Sequence, residues 1–279
     1  MRVAGFAKMA WISLFATVFC LATVVQADEP RRVGSLVIVG GGGMPDSVRD
    51  KFMALAGGKK AKIVVIPTAG EDADKKSAEE GYLQPWRKYT PASLTLLHTR
   101  SRDKANVPAF SKSIDEATAV WLSGGDQVRL TEAYRGTAVE TALKALLKRG
   151  GVIGGTSAGA AVMSDVMIEG GNPKAIVGRG FGFVSSAVID QHFLKRSRVN
   201  RLLGVLADRP KLIGIGIDEG TAFILEGERW SVLGRSFVLV CEVDKDGKPW
   251  RFESFSQGAR GTYSGTGLPK LEGKSDPEN

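Results

Sequence analysis

The residues best suited to chemistry lie in GVIGGTSAGAAVM, Gly151 to Met163. An apolar run meets a serine among small residues and then continues in a helix-like pattern, which reads as strand, sharp turn and helix with Ser157 at the apex. Gly155-Thr156-Ser157-Ala158-Gly159 has the G-x-S-x-G spacing of a nucleophile elbow. Only residues without bulk let the backbone kink there and push the hydroxyl outward, with the next N–H facing the reaction. Ser157 is therefore the candidate nucleophile. The same five residues also describe a tight turn capped by a serine, so the rest of the chain must supply partners.

A serine nucleophile needs a base that is close to neutral pKa and within hydrogen-bond reach. The chain has two histidines, His98 and His192. His98 closes the apolar run Leu94 to Leu97 and reads as a strand end or a satisfied surface histidine. His192 lies in VIDQHFLKRSRVNRLL, where Val188 and Ile189 read as strand and the residues from Phe193 onward as helix. Asp190, Gln191, Arg196, Arg198 and Arg201 gather more polar groups around it than a helix start needs. In LIGIGIDEGTAFIL, Leu212 to Leu225, Asp218 and Glu219 interrupt a buried-strand run, so acids stand where the pattern asks for core. Left unpaired, they would be costly.

GGDQVRL (Gly124 to Leu130), GGTSAGAAVM (Gly154 to Met163), IDQHFLKRSRVNRLL (Ile189 to Leu203) and GIGIDEGTA (Gly214 to Ala222) follow one another in the chain. In that order they resemble the cyanophycinase and peptidase E family of serine peptidases, and more closely its cyanophycinase branch. The resemblance implies a hydrolase of class I glutamine amidotransferase-like α/β fold that acts on aspartyl peptides. It places the nucleophile on Ser157, the base on His192 and the orienting acid on Glu219. An alternative acid would lie between serine and histidine, at Glu169 or Asp165. Glu219 is preferred because it ends an apolar run at a strand's carboxyl end, where open α/β sheets place their sites; Glu169, beside Gly170 and Gly171, reads as exposed loop. The order Ser, His, Glu is no objection, since triads are recognised by role.

The oxyanion formed by attack needs donors, and backbone N–H groups of Ala158 and of the Gly124-Gly125-Asp126 turn, Gly125 above all, are the natural source. The resemblance further implies that Gln127, Asp190, Gln191, Arg196, Arg198 and Arg201 bind substrate. Cyanophycin carries arginine on the β-carboxyls of a poly-aspartate backbone, so its site must hold carboxylates and guanidinium groups together; arginine forks suit the former. Read from spacing alone, Arg198 and Arg201 share one helix face, as a solvated basic helix would.

These residues need a scaffold. SLVIVG (Ser35 to Gly40), KIVVIP (Lys62 to Pro67), SLTLL (Ser93 to Leu97), AVWLSG from Ala119 and GVIGG from Gly151 alternate with helix-like stretches such as Pro45 to Ala56 and Glu132 to Lys148. That alternation predicts an α/β fold, a parallel sheet with helices on both faces. Phe237 to Val243, a turn at Asp244 to Gly247 and Trp250 to Phe255 predict a C-terminal β-hairpin, and the polar residues after Gly265 read as frayed.

Arg2 and Lys8 precede an apolar stretch from Met9 to Val25, with Val25-Gln26-Ala27 as a small-residue cleavage site. Residues 1–27 thus read as a signal peptide and 28–279 as one catalytic domain, giving a secreted or periplasmic protein with no membrane attachment after cleavage. Loss of Cys20 would leave Cys241 alone, excluding an internal disulfide. The net charge of +8 would fall to +6, and no lysine or arginine block argues for nucleic acid. Gly40 to Gly43 lacks the G-x-G-x-x-G spacing of a dinucleotide site, and no His, Cys, Asp or Glu set has zinc spacing, so neither cofactor nor metal is expected. The partner is a peptide or cyanophycin polymer. A homodimer is left open. Two other functions share the motifs: a peptidase E-like dipeptidase for aspartyl or isoaspartyl peptides, and an inactive binding protein on the same scaffold.

Overall fold

Five short runs of β-branched and aliphatic residues form β1 (Ser35–Val39), β2 (Lys62–Ile66), β3 (Ser93–Leu96), β4 (Ala119–Leu122) and β5 (Val152–Thr156) in the computed structural model, which describes residues 1, 34–243, 250–265 and 269–272. They pair in parallel in the order β1-β5-β4-β2-β3. Apart from Met1, the expected signal peptide lies outside the described residues, as does the turn Asp244 to Gly247.

The period-two alternation of these strands divides the core. Val37, Val39, Ile63, Val65 and Trp121 pack on one face against Phe52 of α1 (Asp46–Leu55) and Trp86 of α2 (Ala78–Arg87). Leu36, Ile38, Val64, Ile66, Val120 and Leu122 face the other way. Past α3 (Arg102–Ala105), they meet Ile114 of α4 (Pro108–Glu116), Leu130 and Tyr134 of α5 (Gln127–Tyr134) and Leu143 of α6 (Ala138–Lys148). Helices therefore cover both faces, as expected. The stretch Glu132 to Lys148 is not one helix, because Gly136 at φ +75° turns the chain between α5 and α6.

After α7 (Ala158–Ala161), β6 (Val166–Gly170) and β7 (Ile176–Arg179) form a two-stranded ribbon. A second sheet follows, built from β8 (Ala187–Gln191), then, past α8 (Val199–Ala207), β9 (Ile213–Ile217). The segment from Phe193 begins as turns rather than helix, with positive φ at His192 and Ser197, and α8 starts at Val199. In β9 the isoleucines of IGIGI enter the central core. Its glycines leave room for α8: a Cβ at Gly214 would stand 2.9 Å from Leu202 and Leu206, and one at Gly216 would collide with the Phe193 ring.

Only Asp218 to Gly220 separate β9 from β10 (Thr221–Glu226), too short for a crossover, so β10 returns antiparallel along β1. Then β11 (Arg229–Gly234) extends that edge, and β12 (Val238–Glu242) and β13 (Arg251–Phe255) form the expected hairpin on β9. Finally β14 (Arg260–Thr262) and β15 (Lys270–Leu271) join β11. The main sheet is thus mixed, with an antiparallel wing beyond β1, and part of the chain after Gly265 is strand rather than frayed tail.

Candidate active site

Strand β5 ends at Thr156 and α7 begins at Ala158, which leaves Ser157 at φ +53°, ψ −112°. Side-chain-bearing residues seldom adopt such backbone angles, and the surroundings must impose them. Both glycines of the pentapeptide are required by close backbone approach. A Cβ on Gly155 would overlap the Gly159 carbonyl, and one on Gly159 would overlap that of Leu122 in β4.

The hydroxyl so exposed meets the histidine from the second sheet. Ser157 Oγ lies 2.9 Å from His192 Nε2, and His192 Nδ1 lies 2.6 Å from Glu219 Oε1. A carboxylate only accepts, so Nδ1 carries the proton and Nε2 is left to accept from the serine. Burial pushes the imidazole below its ordinary 6.5; the Glu219 hydrogen bond opposes this, and the charges of Arg196 and Arg198 add to it. The base is therefore neutral at neutral pH.

The end of β1 aligns all three groups. The successive carbonyls of Val39, Gly40 and Gly41 accept the N–H groups of Ser157, His192 and Gly220 at 3.0, 2.6 and 2.9 Å. The last of these adjoins Glu219. A Cβ on Gly41, at φ +103°, would collide with the His192 ring, and one on Gly42, at φ +67°, would come within 2.9 Å of Glu219 Oε2. The glycine run that fits no dinucleotide is the wall behind the histidine and the acid, a role that its composition alone could not disclose.

The second acid of the DE pair is satisfied separately. Burial would raise the Asp218 carboxyl, but the N–H groups of Lys195, Glu219 and Leu194 and the Ser236 hydroxyl together hold it below 3.8. Its Oδ1 accepts from Lys195 N at 2.9 Å and Oδ2 from Ser236 Oγ at 2.8 Å, which fastens the turn after His192 to the start of β12. The alternative acids point elsewhere. Asp165 pairs with Arg179 at 3.0 Å, and Glu169 is in β6, not in a loop, with its side chain against Gly178.

On the opposite side of Ser157 lies the Gly124-Gly125 turn, where a Cβ on Gly124 would stand 3.5 Å from Ser157 Cβ. Gly125, at φ +138°, backs onto the Ala69 carbonyl so closely that no side chain fits. Ala158 is in the first turn of α7, where N–H groups lack intrahelical acceptors. Gly124 and Ala158 thus adjoin the serine, and Gly125 follows on the same turn.

The six residues expected to bind substrate are not equally open. Gln127 is buried, and its Nε2 donates to the carbonyls of Ile168, at 2.9 Å, and Glu169, tying α5 to β6. Asp190 and Arg201 are also buried and hold each other through two hydrogen bonds, Nε to Oδ2 at 2.7 Å and Nη2 to Oδ1. Arg201 Nη1 donates to Gly171 O at 2.8 Å. The shared helix face of Arg198 and Arg201 is therefore turned inward and is no solvated stripe. Arg198 Nη1 donates to Gln191 O at 2.6 Å and Gln191 Oε1 at 2.9 Å, while its buried Nε has no partner. Burial, Arg201 and Arg196 bring Arg198 down to about 10, against the pull of Asp190. Arg196 is exposed, and its charge reaches His192.

Among the described residues no three His, Cys, Asp or Glu side chains converge on a metal position, and no helix is long and apolar enough to cross a membrane. Burial pushes the Cys241 thiol up to about 12, so it offers no competing nucleophile.

Comparison with known proteins gives the family. The profile of peptidase family S51 matches residues 36–233, from β1 to β11. A cyanophycinase of Geminocystis herdmanii is 33% identical over 215 residues, covering 72% of this chain and 78% of that protein. One of Nostoc sp. is 31% identical over 232 residues, covering 78% and 76%. Among solved structures, a peptidase from an acI-B1 Actinobacterium superposes with a TM-score of 0.65 at 25% identity, covering 84% of this chain and 98% of that one. Since the profile covers well over half of the chain and the two cyanophycinases exceed 30% identity over most of their own length, the chain belongs to peptidase family S51 and is a serine-type peptidase of the cyanophycinase and peptidase E kind.

Proposed function

We propose that Ser157, His192 and Glu219 act as a catalytic triad that hydrolyses cyanophycin to β-Asp-Arg dipeptides. The observation that carries the reading is the unbroken contact from Ser157 Oγ through the imidazole to Glu219. His192 Nε2 takes the serine proton as Oγ attacks the scissile carbonyl, and Glu219 holds the tautomer and stabilises the imidazolium. The Ala158 and Gly125 N–H groups receive the oxyanion, each worth roughly 3 to 4 kcal/mol of barrier. The imidazolium then protonates the leaving amine. Water, deprotonated by the same histidine, releases the acyl group and regenerates the serine.

In this reading Arg196, exposed beside His192, reads a substrate carboxylate, and Arg198 with Gln191 forms the inner wall. Asp190, Arg201 and Gln127 act behind that wall as supports. The second reading, a dipeptidase for aspartyl or isoaspartyl peptides, is favoured by the same census, because one open guanidinium suffices for a short acidic substrate. Incubation of purified protein with insoluble cyanophycin and with aspartyl dipeptides separates the two. Ser157→Ala must abolish turnover of the true substrate; persistence of activity in that variant would place the nucleophile elsewhere. Export rests on Arg2, Lys8 and the apolar stretch Met9 to Val25. It is tested by the N-terminal mass of the mature protein, expected to begin at Asp28.

A further inference from the structure

The second histidine, just past β3, is satisfied at both ring nitrogens. Tyr134 OH accepts the Thr99 N–H at 3.1 Å and lies 2.7 Å from Thr68 Oγ1, which lies 2.8 Å from His98 Nδ1. His98 Nε2 is 2.9 Å from Asp74 Oδ1, and Arg100 Nε donates to Asp74 Oδ2 at 2.9 Å. Proton accounting fixes one direction. Buried Tyr134 must donate to Thr68, Thr68 then donates to Nδ1, and the proton on His98 sits on Nε2 facing Asp74. Reversing the chain would leave the tyrosine proton without an acceptor.

Although Thr68, His98 and Asp74 repeat the order hydroxyl, imidazole, carboxylate, Thr68 is fully buried and its oxygen is already engaged on both sides. It is no nucleophile. What the network does hold is the loop after β2. Arg100 donates to the carbonyls of Thr68 and, at 2.7 Å, Gly70. Between them the Ala69 carbonyl accepts Asp126 N at 2.9 Å and Arg129 Nη1 at 3.3 Å, and it forms the surface against which Gly125 is pressed. The Gly124-Gly125 turn in turn lies against Ser157.

We propose that His98, through Thr68, Asp74 and Arg100, is a positioning residue that fixes the Ala69 carbonyl and thereby sets where the Gly125 N–H points in the oxyanion hole. The inference rests on the triad reading above and adds a residue more than one contact removed from the serine. Its signature is selective. Ground-state binding does not use the oxyanion donor, whereas the transition state does, so loss of the network lowers kcat and spares KM.

The test compares His98→Ala, His98→Gln and Asp74→Ala with Ser157→Ala in the full chain, on whichever of cyanophycin or the aspartyl dipeptides the parent cleaves. His98→Ala is expected to lower kcat by roughly 10- to 100-fold, the scale of an ångström's misplacement at a catalytic group, with KM within about twofold. His98→Gln, which can still donate to Asp74, recovers part of the loss. Asp74 is 59% exposed at its side chain, so Asp74→Ala does not threaten folding, and it lowers kcat in the same direction. The two losses combine to less than their product, as for members of one network. A kcat within twofold of the parent for His98→Ala and Asp74→Ala, with Ser157→Ala inactive, overturns this inference and leaves the triad standing. Equal changes in kcat and KM overturn it too. An active Ser157→Ala instead refutes the triad itself.

Discussion

Replacing Arg201 with Met separates a support from a substrate clamp. Asp190 is 0% exposed and Arg201 2%, and the guanidinium meets the carboxylate with two N–H groups while a third reaches Gly171 O. Removing the arginine leaves a buried carboxylate whose nearest remaining cation is Arg198 Nη1 at 3.8 Å. Breaking a buried pair on one side costs about 3 to 5 kcal/mol, and the residual Arg198 contact puts this case toward the lower end. For a chain of this size each kcal/mol moves Tm by about 2 to 4 °C, so the variant should melt roughly 6 to 12 °C early. Arg201→Lys keeps the charge but loses the fork and the Gly171 bond, a smaller loss of about 1.5 to 3 kcal/mol. The double variant Asp190→Leu with Arg201→Met should recover much of the stability, since an apolar pair of matching volume needs no desolvation. Thermal unfolding followed by circular dichroism supplies the Tm, and kcat/KM below the transition supplies function. An Arg201→Met protein that melts within about 1 °C of the parent yet has a raised KM would refute the reasoning and return Arg201 to the substrate.

Glu219→Gln should lower kcat by up to about 10⁴, as a misoriented imidazole does, whereas Glu169→Gln should change little; the opposite ranking in single-turnover assays would reinstate Glu169. The acid limb of kcat/KM should fall below pH 6.5, because the base must be neutral and burial with Arg196 and Arg198 lowers its pKa; activity is lost as pH drops through that value. Arg196→Ala removes one repelling cation, so the limb should move upward, and an unmoved limb would mean that Arg196 does not reach the site. Gly41→Ala places a methyl in the space of the His192 ring at φ +103° and should lower kcat by about 100-fold or more, while a parent-like kcat would show that the glycine wall yields.

The parallel half of the fold was legible because β1, β2, β4 and β5 are buried along nearly their whole length and read as apolar runs between helical stretches, while β3 shows the half-buried alternation of an edge. The two-stranded ribbon was not legible. The ribbon β6 and β7 carries glutamate, arginine and glycine, so Glu169 looked like loop; the strand comes from the pairing of its neighbours, with Glu169 at the register shift between Ile168 and Gly170. The elbow was legible because steric demand writes itself as glycine at fixed offsets from Ser157. The arginines mark where spacing runs out. Helical spacing correctly puts Arg198 and Arg201 on one side of the segment, but it cannot say what that side faces. The answer, Asp190 at the end of β8, depends on how the second sheet docks. For the same reason the His98 network was invisible: its members come from the segment between β2 and α2, the residues just past β3 and the end of α5, and they meet only when the sheet forms.

The proposed triad spans two sheets, with Ser157 on the main sheet and His192 and Glu219 following β8 and β9 of the second. Such an arrangement would be sensitive to any sliding between the sheets were its parts not tied to a common reference. Three consecutive carbonyls at the end of β1 provide one, since each takes the N–H of a triad residue or its neighbour. Positive φ at Ser157 and His192, each carrying a cost of order 1 to 3 kcal/mol, is tolerated at this junction because the backbone bonds over-determine it. Reaction geometry at Ser157 is thus inherited from the register of β1 with β5 and β10, and the glycines at 40 to 42 are the condition for the second sheet to approach closely enough to complete it.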